Sequence, residues 1–184
     1  YTEKIEYLVG NSKFDTKPDE PYNKNVCQFI SDLSKNLINN LEAKKYPDIL
    51  TFAFWCREKN ILKFKSKLDS NSSRLGLGLL FHVTPSNIPT NFAYSLIFGL
   101  TTGNSNIIKI PTNQFRQTQI ICRVIKKTLA NKKYNKIKNK ITIIKYKKEN
   151  DDFTKRISLL CNARIIWGGD KTISSIRKFP INQR

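Results

Sequence analysis

In Thr84-Pro85-Ser86-Asn87-Ile88-Pro89-Thr90 an asparagine stands between two prolines. Each proline fixes its own φ and pushes the residue before it out of the helical region, so Asn87 is held on a stiff loop. An amide fixed in this way can donate to an oxygen on which negative charge develops, the task of an oxyanion hole. The alternative is a turn asparagine that bonds its own backbone. Lys109 ends an apolar run just before Pro111, a place from which an ammonium can reach a ribose hydroxyl or a phosphate. The alternative there is a solvated lysine in a lysine-rich chain. Gly168-Gly169-Asp170 opens a helical stretch, and bare N–H groups at a helix start favour a phosphate, although tight turns also use Gly-Gly. Neither GxGxxG nor GxxxxGK[ST] is present, so no standard phosphate loop decides the matter.

Other chemistries find less support. Cys27, Cys56, Cys122 and Cys161 are widely spaced, and His82 is the single imidazole; no metal-ligand or disulfide pattern emerges. Their apolar neighbours suit a thiol that behaves as a small buried hydrophobe. The net charge of +19 and pI near 9.9 raise nucleic acid as a partner. Lys, Asn and Ile are over-used together along the whole chain, however, as an A/T coding bias would also produce. No apolar run approaches a membrane span and no secretory signal opens the chain, so a soluble cytoplasmic protein is expected. The chain has no methionine, even at position 1, which suggests that it begins and ends within a longer protein.

The elements that must position these residues are set by periodicity. A short strand around Ile5 to Val9 precedes a polar loop. Apolar residues three and four apart predict helices over Val26 to Leu41 and Asp48 to Lys67, with Phe54 and Trp55 as core anchors of the second. The polar run 69–74 marks a boundary between a helical N-terminal part and the remainder of the chain. Strand and helix then alternate. Strands are predicted at Leu77 to Val83, Asn106 to Ile110, Lys140 to Tyr146 and Arg164 to Trp167. Helices are predicted at Asn91 to Leu100, Gln114 to Ala130, Asp151 to Leu160 and Lys171 to Lys178, the last capped by Asp170. Crossovers of this length call for a parallel sheet, hence an α/β fold of nucleotide-binding type.

The stretch FHVTPSNIPTNFAYSLIFGLTTGNSNIIKIP, with NARIIWGGDKTISSIRKFPI further on and AFWCREKNILKFK before it, resembles the long-chain acyl-CoA reductase family, the fatty-acid reductase of bioluminescence operons within the aldehyde dehydrogenase superfamily. The resemblance runs from about Pro47 to Arg184 and leaves the first 46 residues largely outside it. It implies a Rossmann-like cofactor-binding domain of aldehyde dehydrogenase type over residues 74–184, preceded by an N-terminal arm and helices over 1–73. Pro85-Ser86-Asn87-Ile88-Pro89 matches the superfamily's Pro-Trp-Asn-x-Pro loop, which implies that Asn87 stabilises the tetrahedral oxyanion. Gly103 to Lys109 matches its Gly-Asn-x-x-x-x-Lys strand, which implies that Lys109 holds the adenosine ribose. Pro85, Ser86, Thr112, Gly168, Gly169 and Lys171 complete the implied cofactor contacts, and no metal is implied.

Two departures from the pattern matter. Where NAD-dependent relatives place a Glu shortly after the Lys, Ile110 to Asn113 supply no carboxylate, so NADPH is expected over NADH. Where relatives carry Gly-Ser-Thr-x-x-Gly, this chain has Gly169-Asp170-Lys171-Thr172-Ile173-Ser174, and Asp170 would sit unfavourably near a pyrophosphate. The implied activity is reduction of a fatty acyl-CoA or acyl-protein thioester to the aldehyde through a cysteine-bound acyl-enzyme. None of the four cysteines fits the family's nucleophile, so that residue and the catalytic domain are expected beyond Arg184. The resemblance further implies an acyl-activating partner enzyme and a homo-oligomer for the full-length protein. The competing expectation is a basic nucleic-acid-binding or scaffolding α/β domain without catalysis, using Lys126, Lys127, Lys132, Lys133, Lys136, Lys138 and Lys140.

Overall fold

Five residues in a row, Leu79–Val83, are buried, which requires strands on either side and helices over both faces. In the computed structural model, which describes residues 4–68, 72–113, 115–147 and 149–182, this strand lies inside a five-stranded sheet. With β1 at Glu6–Val9, β2 at Leu79–Val83, β3 at Ser105–Ile110, β4 at Ile141–Lys145 and β5 at Ala163–Ile166, the order is β1-β4-β3-β2-β5. Strands β2 to β5 are parallel, and β1 closes the far edge antiparallel to β4. The α/β architecture with a mostly parallel sheet is as expected.

The chain places β3 and then β4 on one side of β2 and returns to put β5 on the other. Strand addition therefore reverses between β2 and β5. Loops leaving these two strands diverge, which opens a crevice beyond their carboxyl ends.

Helices cover both faces. Among them α1 (Lys24–Ile38), α2 (Pro47–Trp55), α3 (Glu58–Lys65), α4 (Asn91–Thr101) and α5 (Arg116–Leu129) share one core with one side of the sheet, where Phe29, Leu33, Phe52, Leu96 and Ile121 meet Ile108 and Ile143. The short α6 (Asn135–Lys138) leads into β4. On the other side α7 (Asp151–Leu160) and α8 (Asp170–Arg177) bring Ile157 and Ile176 against Leu79, Phe81, Val83 and Ile107. Among the described residues no helix is long and apolar enough to cross a membrane.

Several details differ from the sequence expectation. Helix α1 ends at Ile38 and leaves Leu41 exposed, and β2 starts at Leu79 and leaves Leu77 exposed. The helix expected over 48–67 is two helices. Arg57 takes an extended backbone between them, and the Asn60 side-chain amide donates to the carbonyls of Phe54 and Trp55, at 2.9 and 3.4 Å, occupying acceptors that a continuous helix would use. Phe54 is 41% exposed under the Arg57 guanidinium, and Phe52 takes the core position. At the start of α8 the cap is Gly169, and Asp170 is the first helical residue. Residues 69–71 of the expected polar break lie outside the described residues, as do Gln114 and Arg184.

The polar segment before α1 straps the amino ends of the sheet. Asp15 N–H donates to Asn139 O, Asp19 N–H to Gly103 O and Gly76 N–H to Asp19 O, at 2.8, 2.8 and 3.0 Å. Gly103 has φ +83°, and a Cβ there would lie 2.1 Å from Asp19 O, so only glycine fits. Lys140, buried, donates to Lys17 O at 2.8 Å and pairs with Asp15 and Asp19 at 3.4 and 3.2 Å. It belongs to this strap and not to an exposed basic face.

Candidate active site

The crevice at the strand reversal is a cleft of about 510 Å³. The loop after β2 contributes Pro85, Ser86 and Asn87; the end of β3 and the turn after it contribute Lys109 and Thr112; the exit of β5 contributes Trp167, Gly168 and Gly169. Seven of the eight candidate residues thus converge. Lys171, exposed on α8, is not part of the lining. A larger groove of about 660 Å³ lies toward the antiparallel edge, walled by Ile5, Tyr7, Phe14, Ile144 and Phe153. It is apolar and gathers none of the candidates, so chemistry favours the smaller cleft.

Asn87 is exposed, and its amide makes no hydrogen bond to any described residue, so the self-bonded turn is not the arrangement present. The loop that carries it is anchored at both ends. Thr84 donates from N–H and Oγ1 to Lys109 O, at 3.1 and 3.0 Å, and Thr118 Oγ1 donates to Pro89 O at 3.0 Å.

Lys109, half-buried, holds its Nζ 4.8 Å from the centroid of the Tyr146 ring, a separation at which the ring quadrupole attracts a cation. Burial pushes the Tyr146 phenol up to about 12, with the Asp151 carboxylate adding to the effect. The phenol is therefore neutral, and its oxygen lies 2.9 Å from Thr154 Oγ1 on α7. A fixed, neutral ring floors the cleft beneath the ammonium.

Trp167 N–H donates to Val83 O at 2.8 Å, the last bond between β5 and β2, and the glycines come next. Gly169 has an ordinary φ of −74°, and a Cβ there would meet nothing within 4 Å. Among the described residues no contact demands a glycine at 169. Its absent side chain leaves the backbone at the start of α8 open to the cleft, the approach that a phosphate needs.

Other lining residues carry no signal in the sequence. Tyr146, Asp151, Thr154, Trp167, Thr172, Ser175 and Ile176 are among them, brought in by α7, α8 and the strand ends. By sequence, Asp151 and its neighbour suggest only a favourable charge at the start of a helix dipole. The four cysteines do not line the cleft. Burial pushes every one of the four thiols up, Cys122 to about 12, the opposite of what an activated nucleophile requires. Among the described residues no group of three or more His, Cys, Asp or Glu could hold a metal ion.

A family model described as acyl-CoA reductase (LuxC) matches residues 22–183. No curated protein matches the chain. The match reaches back past Pro47 to Tyr22, so α1 carries the family's pattern as well.

Proposed function

The chain belongs to the acyl-CoA reductase (LuxC) family, and on that premise we propose that its cleft binds NADPH and steadies an oxyanion while a long-chain fatty acyl thioester is reduced to the aldehyde. The observation that carries the reading is the convergence of Asn87, Lys109 and Gly168-Gly169 on one cleft at the strand reversal. The parallel strands, taken in chain order among themselves, run 3-2-1-4 across the sheet. That is the order of the first four strands of a doubly wound dinucleotide-binding fold, whose ligands lie beyond the strand ends at such a reversal. It supports a Rossmann-like domain of aldehyde dehydrogenase type over residues 74–184, with residues 1–73 as arm and supporting helices.

The residues present fit a dinucleotide. Lys109 stands where it can hold the ribose of the adenosine half, steadied by Tyr146. Gly169 offers open backbone to the pyrophosphate. When bound, the cofactor supplies hydride to the acyl carbon. Asn87 donates its amide N–H to the acyl oxygen as charge develops there, from a loop already stiff before the substrate arrives. In this reading the acyl group is carried as a thioester on a cysteine. The four thiols of this chain are buried or half-buried and lie outside the cleft, which supports reading the present chain as the cofactor-binding part, with the nucleophile supplied by another segment. Delivery as acyl-CoA or acyl-protein thioester, an acyl-activating partner, a homo-oligomeric assembly and a cytoplasmic setting belong to the same reading.

NADPH is preferred because Ile110 to Asn113 place no carboxylate beside Lys109. Asp151 enters the lining from α7, and its repulsion limits that preference. The test is a titration of this chain with NADPH and with NADH, followed by cofactor fluorescence. Saturable, tighter binding of NADPH that weakens in Lys109→Ala is expected; tighter binding of NADH, or no saturable binding, overturns the proposal.

A further inference from the structure

His82 is fully buried on β2, one residue before its carboxyl end, and each of its ring nitrogens has one partner. Nδ1 lies 2.7 Å from Ser95 Oγ on α4, and Nε2 lies 2.9 Å from Asn106 Oδ1 on β3. Two fixed ends give this chain of bonds a direction. At one end the Asn106 Nδ2–H donates to Asn104 O at 2.9 Å, which assigns the amide and leaves Oδ1 as an acceptor. His82 Nε2 must then carry the proton, and Nδ1 accepts from the Ser95 hydroxyl. At the other end Trp167 Nε1, which can only donate, reaches the same Ser95 Oγ at 3.0 Å. The sequence of donors therefore runs from the Trp167 indole through Ser95 and His82 to Asn106, and every polar atom along it is satisfied.

A buried chain of bonds with no loose end specifies geometry, since breaking any link leaves a polar group unpaired inside the core. What it specifies at its outer end is the indole of Trp167, which is 39% exposed and lines the cleft. Trp167 leaves β5 two strand positions from Lys109 on β3, about 10 Å across the sheet. A dinucleotide held by its adenosine ribose at Lys109 would have the open backbone at Gly169 for its pyrophosphate and Trp167 and Asn87 beside its other end, since all four residues line one cleft.

We propose that Trp167 is a further ligand-contact residue, its indole the wall against which the nicotinamide end of the cofactor packs, and that Ser95, His82 and Asn106 are positioning residues that fix this wall. The inference rests on the reading of the cleft as a cofactor site. Planar rings gain from such contact beyond their buried area. The neutral imidazole that the donor order requires agrees with a pKa pushed down to about 4, chiefly by burial.

Trp55 and Trp167 are the two tryptophans of the chain. Trp55 packs among Phe52, Phe64, Tyr94 and Phe98, where phenylalanine preserves an aromatic ring. In Trp55→Phe, Trp167 is then the one indole reporter. Titration with NADPH is expected to quench Trp167 emission with the midpoint given by the anisotropy of the cofactor's own fluorescence. Ser95→Ala is expected to lower the anisotropy of Trp167 emission and to weaken NADPH binding about fivefold. In the two-tryptophan chain Trp167→Phe, which leaves Ser95 and His82 paired with each other, is expected to weaken binding by a similar factor at an unchanged Tm. NADPH binding with silent Trp167 emission, or unchanged affinity in both the Ser95 and Trp167 variants, overturns this inference and leaves the cofactor site standing. No NADPH binding by either signal overturns both.

Discussion

Asn87 is fixed yet unengaged. The backbone around it is held by Pro85, Pro89 and the Thr84 bonds to Lys109 O, while its own amide meets solvent. The fold fixes the backbone here and leaves the amide open to solvent, which is what the proposed oxyanion role asks of Asn87. In a protein that also carries the nucleophile, Asn87→Ala is expected to lower kcat for thioester reduction by about 10² to 10³, the usual loss for one oxyanion donor. Its unfolding free energy should stay within about 0.5 kcal/mol of the parent in urea melts, as for other exposed sites. A fall in stability without a fall in kcat would return Asn87 to the role of a turn residue. Lys109 differs in kind: its ammonium is steadied by Tyr146, so its placement depends on β4 and α7 as well as on its own strand.

Between elements, α4 lies close on β3 at a glycine. A Cβ on Gly99 would lie 1.8 Å from Asn106 Oδ1, the atom that His82 Nε2 bonds. Alanine is better than glycine in a helix by about 1 kcal/mol, but overpacking costs about 1–3 kcal/mol and a lost partner for buried His82 about 1–3 more. The penalty wins. Gly99→Ala is expected to destabilise the chain by about 2–4 kcal/mol in urea melts, and a neutral or stabilised variant would show that the Asn106–His82 bond is dispensable. Nothing in the local sequence marks this glycine, because its reason sits on another element. The same division explains what sequence reasoning reached. Asn87, Lys109 and Gly168-Gly169 stand where proline or glycine punctuates a strand end, and local chemistry marks them. Tyr146, Asp151 and Thr154 enter the cleft through the order of the strands, which crossover lengths leave open. The split between α2 and α3 has no Gly or Pro to announce it and depends on Asn60 reaching back to the end of α2.

Over the whole molecule, the charge of +19 does not form one uninterrupted face. Lys140 is buried in the N-terminal strap. Lys133 pairs with Asp32 at 2.6 Å; burial pushes the Asp32 carboxyl up, and hydrogen bonds from Lys133 and Tyr134 more than offset this, leaving it below its ordinary 3.8. The centre of the molecule holds a different titration. His82, the single histidine, joins β2, α4 and β3, and burial lowers its pKa from 6.5 to about 4. Its folded pKa lies below its unfolded one, so between these values the unfolded chain binds a proton that the folded chain refuses. Stability from the neutral imidazole is complete above pH 6.5 and is lost as the pH falls toward 4, by up to about 3 kcal/mol. Asp15, Asp32 and Glu42, whose carboxyls all lie below their ordinary values, lose their contribution only at lower pH, so the two effects separate. Unfolding free energies from urea melts are expected to decline from pH 7 to pH 4.5 in the parent chain and to stay level over that range in His82→Gln, which has no proton to gain. Parallel profiles for the two would mean that the imidazole is protonated in the fold, and the donor order assigned from Trp167 to Asn106 would then be wrong.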